Sequence, residues 1–385
     1  MKITDNIKYI GVDDTTLDLF EGQYIIPNGI SYNSYIIFDE KIAIMDCVDK
    51  REEEQWFANL TDALAGKTPD YLVVHHMEPD HSGCIETLMN KYPNLQIVTS
   101  AMAAQMLSQF FFNADFAGRI ITIKEGDTLS LGKHTLQFIM APMVHWPEVF
   151  VTYEQSEKIL FSADAFGKFG ALSHDEEWAC EARRYYFNIC GKYGAQVQAL
   201  LKKVSALDVS QICPLHGPIL NENLGYYISL YDTWSSYKPE TEGVFIAYAS
   251  IYGNTAKVAN EIAEMLKEKG VKVSVADLCR SDMAEAIEDA FKYDRMIVAA
   301  SSYEGSVMPV MHDFLHHLQH KNFQKRKVGI VENGSWAPSA GRVMRKMLEE
   351  MKDIEIVSPM ITIRSAMQPT GAEIVNALVK AMGKI

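Results

Sequence analysis

The sequence predicts an α/β protein of two successive domains, the second built on a doubly wound parallel sheet, and three observations carry that reading. Its 385 residues exceed the roughly 100–200 that one hydrophobic core usually organises. A polar stretch with Pro and Gly, Ser235–Gly243 (SSYKPETEG), separates two regions of different pattern. Beyond it, apolar strands alternate with glycine-containing loops and amphipathic helices, the pattern of a doubly wound sheet. The expected domains are residues 1–240 and 243–385.

Composition narrows the function. With 48% hydrophobic and 22% charged residues, the chain is too apolar for disorder and too mixed for a membrane protein. Its 36 Lys and Arg are dispersed and outnumbered by 50 Asp and Glu, a net charge of −14, so no cationic field awaits nucleic acid. No stretch reaches the roughly 18 consecutive apolar residues of a spanning helix, and MKITDNIKYIG lacks a signal-peptide core. A soluble cytoplasmic protein with no membrane partner is expected. The six cysteines contain no C-x-x-C pair and read as buried thiols rather than a disulfide framework, zinc ribbon or rubredoxin-type centre. The 19 methionines read as core fill.

In the first region, four strands run into loops that carry His, Asp or Glu. Tyr71–Val74 leads to His75–His81, Thr135–Met140 to His145, Ile159–Phe161 to Asp164, and Val209–Cys213 to His216. Loops leaving one edge bring distant residues to one rim. The densest loop contains H-x-E-x-D-H: His76, Glu78, Asp80 and His81. Imidazole with carboxylate suits iron, manganese or zinc. Four ligands from so short a loop, with His145, Asp164 and His216 besides, are too many for one compact ion and suit two. Asp164 is the natural bridge, because a carboxylate has one oxygen for each ion. His75, His134, His174, His312, His316, His317 and His320 lack such a context and read as structural or solvated.

In the second region the strands are Val244–Ala249, Val271–Ala276, Met296–Ala300 and Lys327–Val331, with a helix after the first strand running to about Glu268 and closed by Gly270. The loop Ser250-Ile251-Tyr252-Gly253-Asn254-Thr255 offers hydroxyls and backbone N–H groups at a helix N-terminus, a cradle for phosphate. It has no Lys, which disfavours a Walker site. Ser301-Ser302-Tyr303-Glu304-Gly305 and Asn333-Gly334-Ser335-Trp336-Ala337 follow two later strands, where a doubly wound sheet binds its ligand, and Tyr303 and Trp336 can wall a planar ring. This half resembles flavodoxin, which implies noncovalent FMN. Ser250, Tyr252, Gly253, Asn254 and Thr255 would then hold the phosphate, and the other two loops the isoalloxazine.

H-x-E-x-D-H followed by His145-Trp146-Pro147, Phe161-Ser162-Ala163-Asp164-Ala165-Phe166-Gly167 and Pro214-Leu215-His216-Gly217 resembles the flavodiiron proteins over essentially the whole chain. Their metallo-β-lactamase-like αββα sandwich precedes the flavodoxin domain. The resemblance implies that His76, Glu78 and His145 hold one iron, Asp80, His81 and His216 the other, and Asp164 bridges them. It also places Tyr193 near the open face. Hydrolases of the superfamily carry H-x-H-x-D-H and usually bind zinc; here Glu78 replaces the second His with a harder, negative ligand. Two departures bear on substrate preference: Gly191-Lys192 stands where relatives often have Met-Pro, and the loop Ile25–Ser31 lacks the His some relatives carry.

The implied activity is reduction of dioxygen to water, of nitric oxide to nitrous oxide, or of both, in protection against oxygen or nitrosative stress. Electrons would pass from an external donor to FMN and on to the di-iron site. With no fused C-x-x-C centre, the donor is rubredoxin or a reduced deazaflavin coenzyme. A head-to-tail homodimer, or a dimer of dimers, would set the FMN of one subunit against the iron pair of the next. The competing readings are a zinc-dependent hydrolase with an appended flavodoxin domain, and an electron carrier whose first domain is a metal-free scaffold.

Overall fold

A computed structural model describes residues 2–383. The chain forms two compact units, Met1–Tyr186 with Ala195–Asp232, and Phe187–Gly194 with Thr233–Ile385.

The first unit holds two main sheets. One runs in the order β1 (Ile7–Tyr9), β2 (Tyr35–Ile37), β3 (Ala43–Met45), β4 (Tyr71–Val73), β5 (Gln96–Ser100), β6 (Ile120–Ile123). It is antiparallel from β1 to β3 and parallel from β3 to β6. The other runs β7 (Thr128–Ser130), β8 (Thr135–Met140), β9 (Phe150–Glu154), β10 (Ile159–Phe161), β11 (Gln211–Cys213), antiparallel except for the parallel pair β10 and β11.

One apolar core joins the sheets. Tyr35, Ile37, Ala43, Met45, Val73 and Val98 from the first cluster with Leu136, Phe138, Phe150, Ile159, Phe161 and Cys213 from the second. Successive strand side chains alternate between faces, so Ile36, Ile44, Leu72 and Ile97, equally buried, point to the other side of the first sheet. Strands covered on both faces need no polar alternation, which is why YII and AIM read as continuous apolar runs. The helix Glu53–Leu64 buries Trp56, Leu60 and Leu64, one stripe at i, i+4 and i+8.

This topology gathers the ligand loops. Since β8 and β10 are each antiparallel to β9, they run the same way, and β11 is parallel to β10. The loops carrying His145, Asp164 and His216 therefore leave one edge of the second sheet, while His76–His81 follow β4 of the first.

The second unit has the sheet order β13 (Val273–Asp277), β12 (Thr241–Ala249), β14 (Tyr293–Tyr303), β15 (Arg326–Asn333), β16 (Ile354–Ile356), with β17 (Ile361–Ile363) also on β15. All these pairs are parallel, and the chain reverses its winding direction at β12, the doubly wound arrangement. On one face Ile246, Ile297 and Val331 pack with Val258, Ile262 and Leu266 of the helix Asn254–Glu268 and Leu378 of the helix Ala372–Met382. Phe245 points the opposite way and meets Phe314 of the helix Pro309–His320, ring centroids 6.3 Å apart.

Several boundaries differ from the sequence reading. The helix Leu224–Ser235 enters the expected linker, and β12 begins at Thr241 because Thr241 pairs with Tyr293. β13 starts at Val273, after the turn in which Gly270 takes φ +77°. β14 runs on through Tyr303 because Ser302 and Tyr303 pair with Val307 and Ser306. Glu304 (φ 48°) and Gly305 (φ 71°) thus form a two-residue hairpin turn with both φ positive, the type I′ geometry that follows strand twist. Among the described residues, no helix is long and apolar enough to cross a membrane.

Candidate metal centre and flavin pocket

The chain after β4 is shaped by Pro79, the first residue of the short helix Pro79–Ser82, where its fixed φ and missing N–H cost nothing. Glu78 immediately precedes this turn, and Asp80 and His81 lie within it. Asp164 sits between Ala163 (φ 50°) and Phe166 (φ 67°), both in the left-handed region. Such strain persists where packing over-determines it. The Phe166 ring stacks on Tyr231 at 4.2 Å, and its N–H donates to the Tyr231 hydroxyl at 2.6 Å.

The seven expected ligands meet as two groups, His76 with Glu78, His145 and Asp164, and Asp80 with His81 and His216. In the first, Glu78 Oε2 lies 3.0 Å from His76 Nε2 and 3.1 Å from His145 Nε2, and Asp164 Oδ2 lies 3.4 and 3.5 Å from the same nitrogens. In the second, Asp80 Oδ2 is 3.2 Å from His81 Nε2 and 3.3 Å from His216 Nε2. Asp164 turns its other oxygen, Oδ1, to this pair at 3.4 and 3.6 Å. Metal–ligand bonds of about 2.0–2.2 Å put neighbouring ligand atoms about 3.0–3.5 Å apart. The spacing therefore suits one ion per group with Asp164 between them.

Polar bookkeeping supports a cation at each position. Both oxygens of Asp80, and Asp164 Oδ2, are buried without a hydrogen-bond partner, an expensive arrangement for carboxylates unless positive charge faces them. His216 Nδ1 donates to the Ser31 carbonyl at 2.7 Å, so its Nε2 carries the lone pair, and that nitrogen lies 3.0 Å from His81 Nε2. His76 Nδ1 likewise points 2.8 Å from Glu148 Oε1, which also accepts the Met77 N–H at 2.9 Å. Partners of this kind orient a ligating imidazole and raise its basicity.

The neighbouring carboxylates favour the protonated forms of His76 and His81. Burial works against a charged His76, but Glu148, Glu78 and Asp164 outweigh it and lift it well above its ordinary range. Burial likewise opposes charge on His81, yet Asp80 and Asp164 raise it to about 9. Burial pushes Asp164 up, and the surrounding histidines carry it well below the usual carboxylate range. Glu78 is held low in the same way by His145 and His76.

Other expectations fall out by contact. His75 is satisfied at both ring nitrogens, by Asp46 Oδ2 at 2.5 Å and Thr152 Oγ1 at 2.7 Å, and His134 pairs with buried Glu154 at 3.1 Å, as structural histidines do. Tyr193 lies half-buried in the turn Gly191–Tyr193, within the second unit. Within the first unit, the Tyr185 hydroxyl donates to Asp164 Oδ1 at 3.1 Å. Sequence reasoning missed Tyr185 and Glu148. The signal for Glu148 was a lone acid in the apolar run HWPEVFV; Tyr185, inside YYF on a helix, gave none.

In the second unit, the three loops after β12, β14 and β15 line one cavity of about 470 Å³. Every residue expected from them lines it except Gly253, and Ile251, Ser339 and Ser365 join them. Gly253 instead supplies the backbone bend, with φ +88° ahead of the helix Asn254–Glu268, which no side chain caps. Its free N–H groups face the loop as a ready anion site. The buried Thr255 hydroxyl is 2.9 Å from Ser301 Oγ and accepts from Asn333 Nδ2 at 3.3 Å, tying the loops together. Tyr252 and Trp336 are 93% and 88% exposed at the cavity, apolar surface of the kind that covers a planar ring. The residues fit a flavin mononucleotide.

Comparison with known proteins agrees in both halves. Residues 30–217 match the ODP family beta lactamase family, and residues 245–358 a flavodoxin domain family. The chain is 30% identical to a nitric oxide reductase of Moorella thermoacetica over 373 residues, 94% of this chain and 92% of that one. It is 30% identical over 347 residues to an anaerobic nitric oxide reductase flavorubredoxin of Vibrio vulnificus, covering 87% of this chain and 70% of the relative. Among solved structures, rubredoxin oxygen:oxidoreductase from Desulfovibrio gigas superposes with a TM-score of 0.93 at 24% identity, over 100% of this chain and 97% of that one. A mutant flavo di-iron protein from Thermotoga maritima gives 0.89 at 26% identity, over 99% and 98%. Matched from end to end by such relatives, this chain belongs to the flavodiiron protein family.

Proposed function

We propose that the protein reduces dioxygen to water, nitric oxide to nitrous oxide, or both, with residues 1–240 as the di-iron domain and residues 243–385 as the FMN domain. One observation carries the reading: Asp164 presents a separate oxygen to each of two ligand groups. When bound, a ferrous pair holds two electrons and reduced FMN two more, matching the four that take dioxygen to water, while two suffice for a pair of nitric oxide molecules.

The chain's own residues prepare the site. His76, Glu78 and His145 would hold one iron and Asp80, His81 and His216 the other. Glu78, Asp80 and Asp164 place three negative charges among neutral imidazoles, which favours the more oxidised metal state and so drives reduction of substrate. Glu148 and the Ser31 carbonyl keep His76 and His216 in the ligating tautomer. Tyr193 keeps the place near the open face that the resemblance gives it, and Tyr185 steadies the bridge. In the flavin cavity, the uncapped start of the helix Asn254–Glu268 would take the phosphate, and Tyr303 and Trp336 would wall the ring.

A cytoplasmic head-to-tail homodimer or dimer of dimers, supplied by rubredoxin or a reduced deazaflavin, completes the proposal. Metal-quantified protein, reduced anaerobically and titrated separately with each gas, tests it. Water or nitrous oxide should form in proportion to the electrons consumed. Accumulating peroxide, or no turnover in protein carrying two irons and FMN, would refute the reading.

A further inference from the structure

In the second unit, the helix Pro309–His320 carries His312, His316, His317 and His320. Its buried face, with Met311, Phe314, Leu315 and Leu318, anchors it to the sheet. His312, His316 and His320 recur every fourth residue, so they share the exposed face. Their rings follow one another along the helix, centroids 6.4 Å apart from His312 to His316 and 4.1 Å from His316 to His320. His320 Nδ1 lies 2.9 Å from the His316 carbonyl oxygen and must donate to it, which leaves the lone pair on Nε2. His317 turns instead toward Asp313, 3.7 Å away.

We propose that His316 and His320 chelate a divalent transition-metal ion of the zinc, nickel or copper class. Two imidazoles one helical turn apart are the ligand pair that zinc-binding helices use at the same spacing. His320 ends the helix, where the last carbonyls leave partial negative charge that favours a cation. His316 borders a cavity of about 420 Å³ with His312, Asp313 and Glu304, which leaves room for water and a further oxygen ligand. Glu304 also borders the flavin cavity.

The test is calorimetric titration of iron-loaded, FMN-loaded protein with Zn²⁺, with iron assayed before and after. One equivalent of zinc should bind while the iron stays, and it should be lost in His316→Ala and in His320→Ala but kept in His317→Ala. These side chains lie on the helix surface, away from its anchoring face. Zinc uptake equal in His316→Ala and the parent protein, or no uptake by the iron-loaded parent, overturns the proposal.

Discussion

Tyr185 donates its hydroxyl proton to Oδ1 of Asp164, the oxygen that faces His81 and His216, and its ring lies 5.5 Å from that of His216. Tyr185→Phe removes the donor while filling the same space. A hydrogen bond to a charged group is worth about 1.5–3 kcal/mol. The variant should keep both metals, unfold at a lower temperature and turn over more slowly. Metal analysis, thermal unfolding and gas consumption check this, and a variant with the parent's stability and turnover would show that the bond does not steady the bridge.

Because Asp164 serves both ligand groups, its loss differs in kind from the loss of a single-group ligand. Asp164→Asn keeps the shape but removes the charge between the ions, and should release both together. His145→Ala or His216→Ala should each empty one position first. Iron-to-protein ratios during graded chelation separate the outcomes, and stepwise loss from Asp164→Asn would count against a bridge.

The metal-free protein should have an unusual pH profile. His81, raised to about 9, gives stability that is complete below its unfolded value of about 6.5 and fades as pH climbs through 9. Asp164, held low, contributes above about 4 and loses its contribution only in stronger acid. Metal-free protein should therefore unfold at a higher temperature at pH 6 than at pH 9. Loaded protein should show the reverse trend, because metal binds neutral imidazole and protons compete with it. Equal midpoints at pH 6 and pH 9 for the metal-free form would contradict the assignment.

Gly253 offers a test of the flavin cradle. A Cβ there would meet nothing within 4 Å, so Gly253→Ala adds only the strain of a left-handed alanine, about 1–2 kcal/mol. FMN affinity should fall by roughly five- to thirtyfold, the same energy expressed as an equilibrium constant, while iron content stays unchanged. Fluorescence titration of flavin-stripped protein measures it, and undiminished affinity would show that the bend is not needed for binding.

Legibility varied with the physics. The seven candidate ligands could be read because they stand close together in motif or just past short apolar strands, and the fold brings them into two groups. The doubly wound sheet was legible from the run of strands, glycine loops and helices after residue 243. What failed depends on contacts distant in sequence. Tyr185 lies on an apolar helix face, where an aromatic ring reads as core, and only the fold aims its hydroxyl at Asp164. Glu148 serves His76 across 72 residues of chain. The hairpin at Glu304-Gly305 read as open loop because strand pairing, rather than composition, extends β14 to Tyr303.

The ligands come from both layers of the first unit: His76 to His81 hang from one sheet, and His145, Asp164 and His216 from the other. Each ion would thus rivet the two layers together at their rim, in a place where the greasy interior cannot reach. Iron loading would then be a mechanical event as much as a chemical one. Amide protons along β4 and β10 should exchange in step, slowing together as the rivets go in.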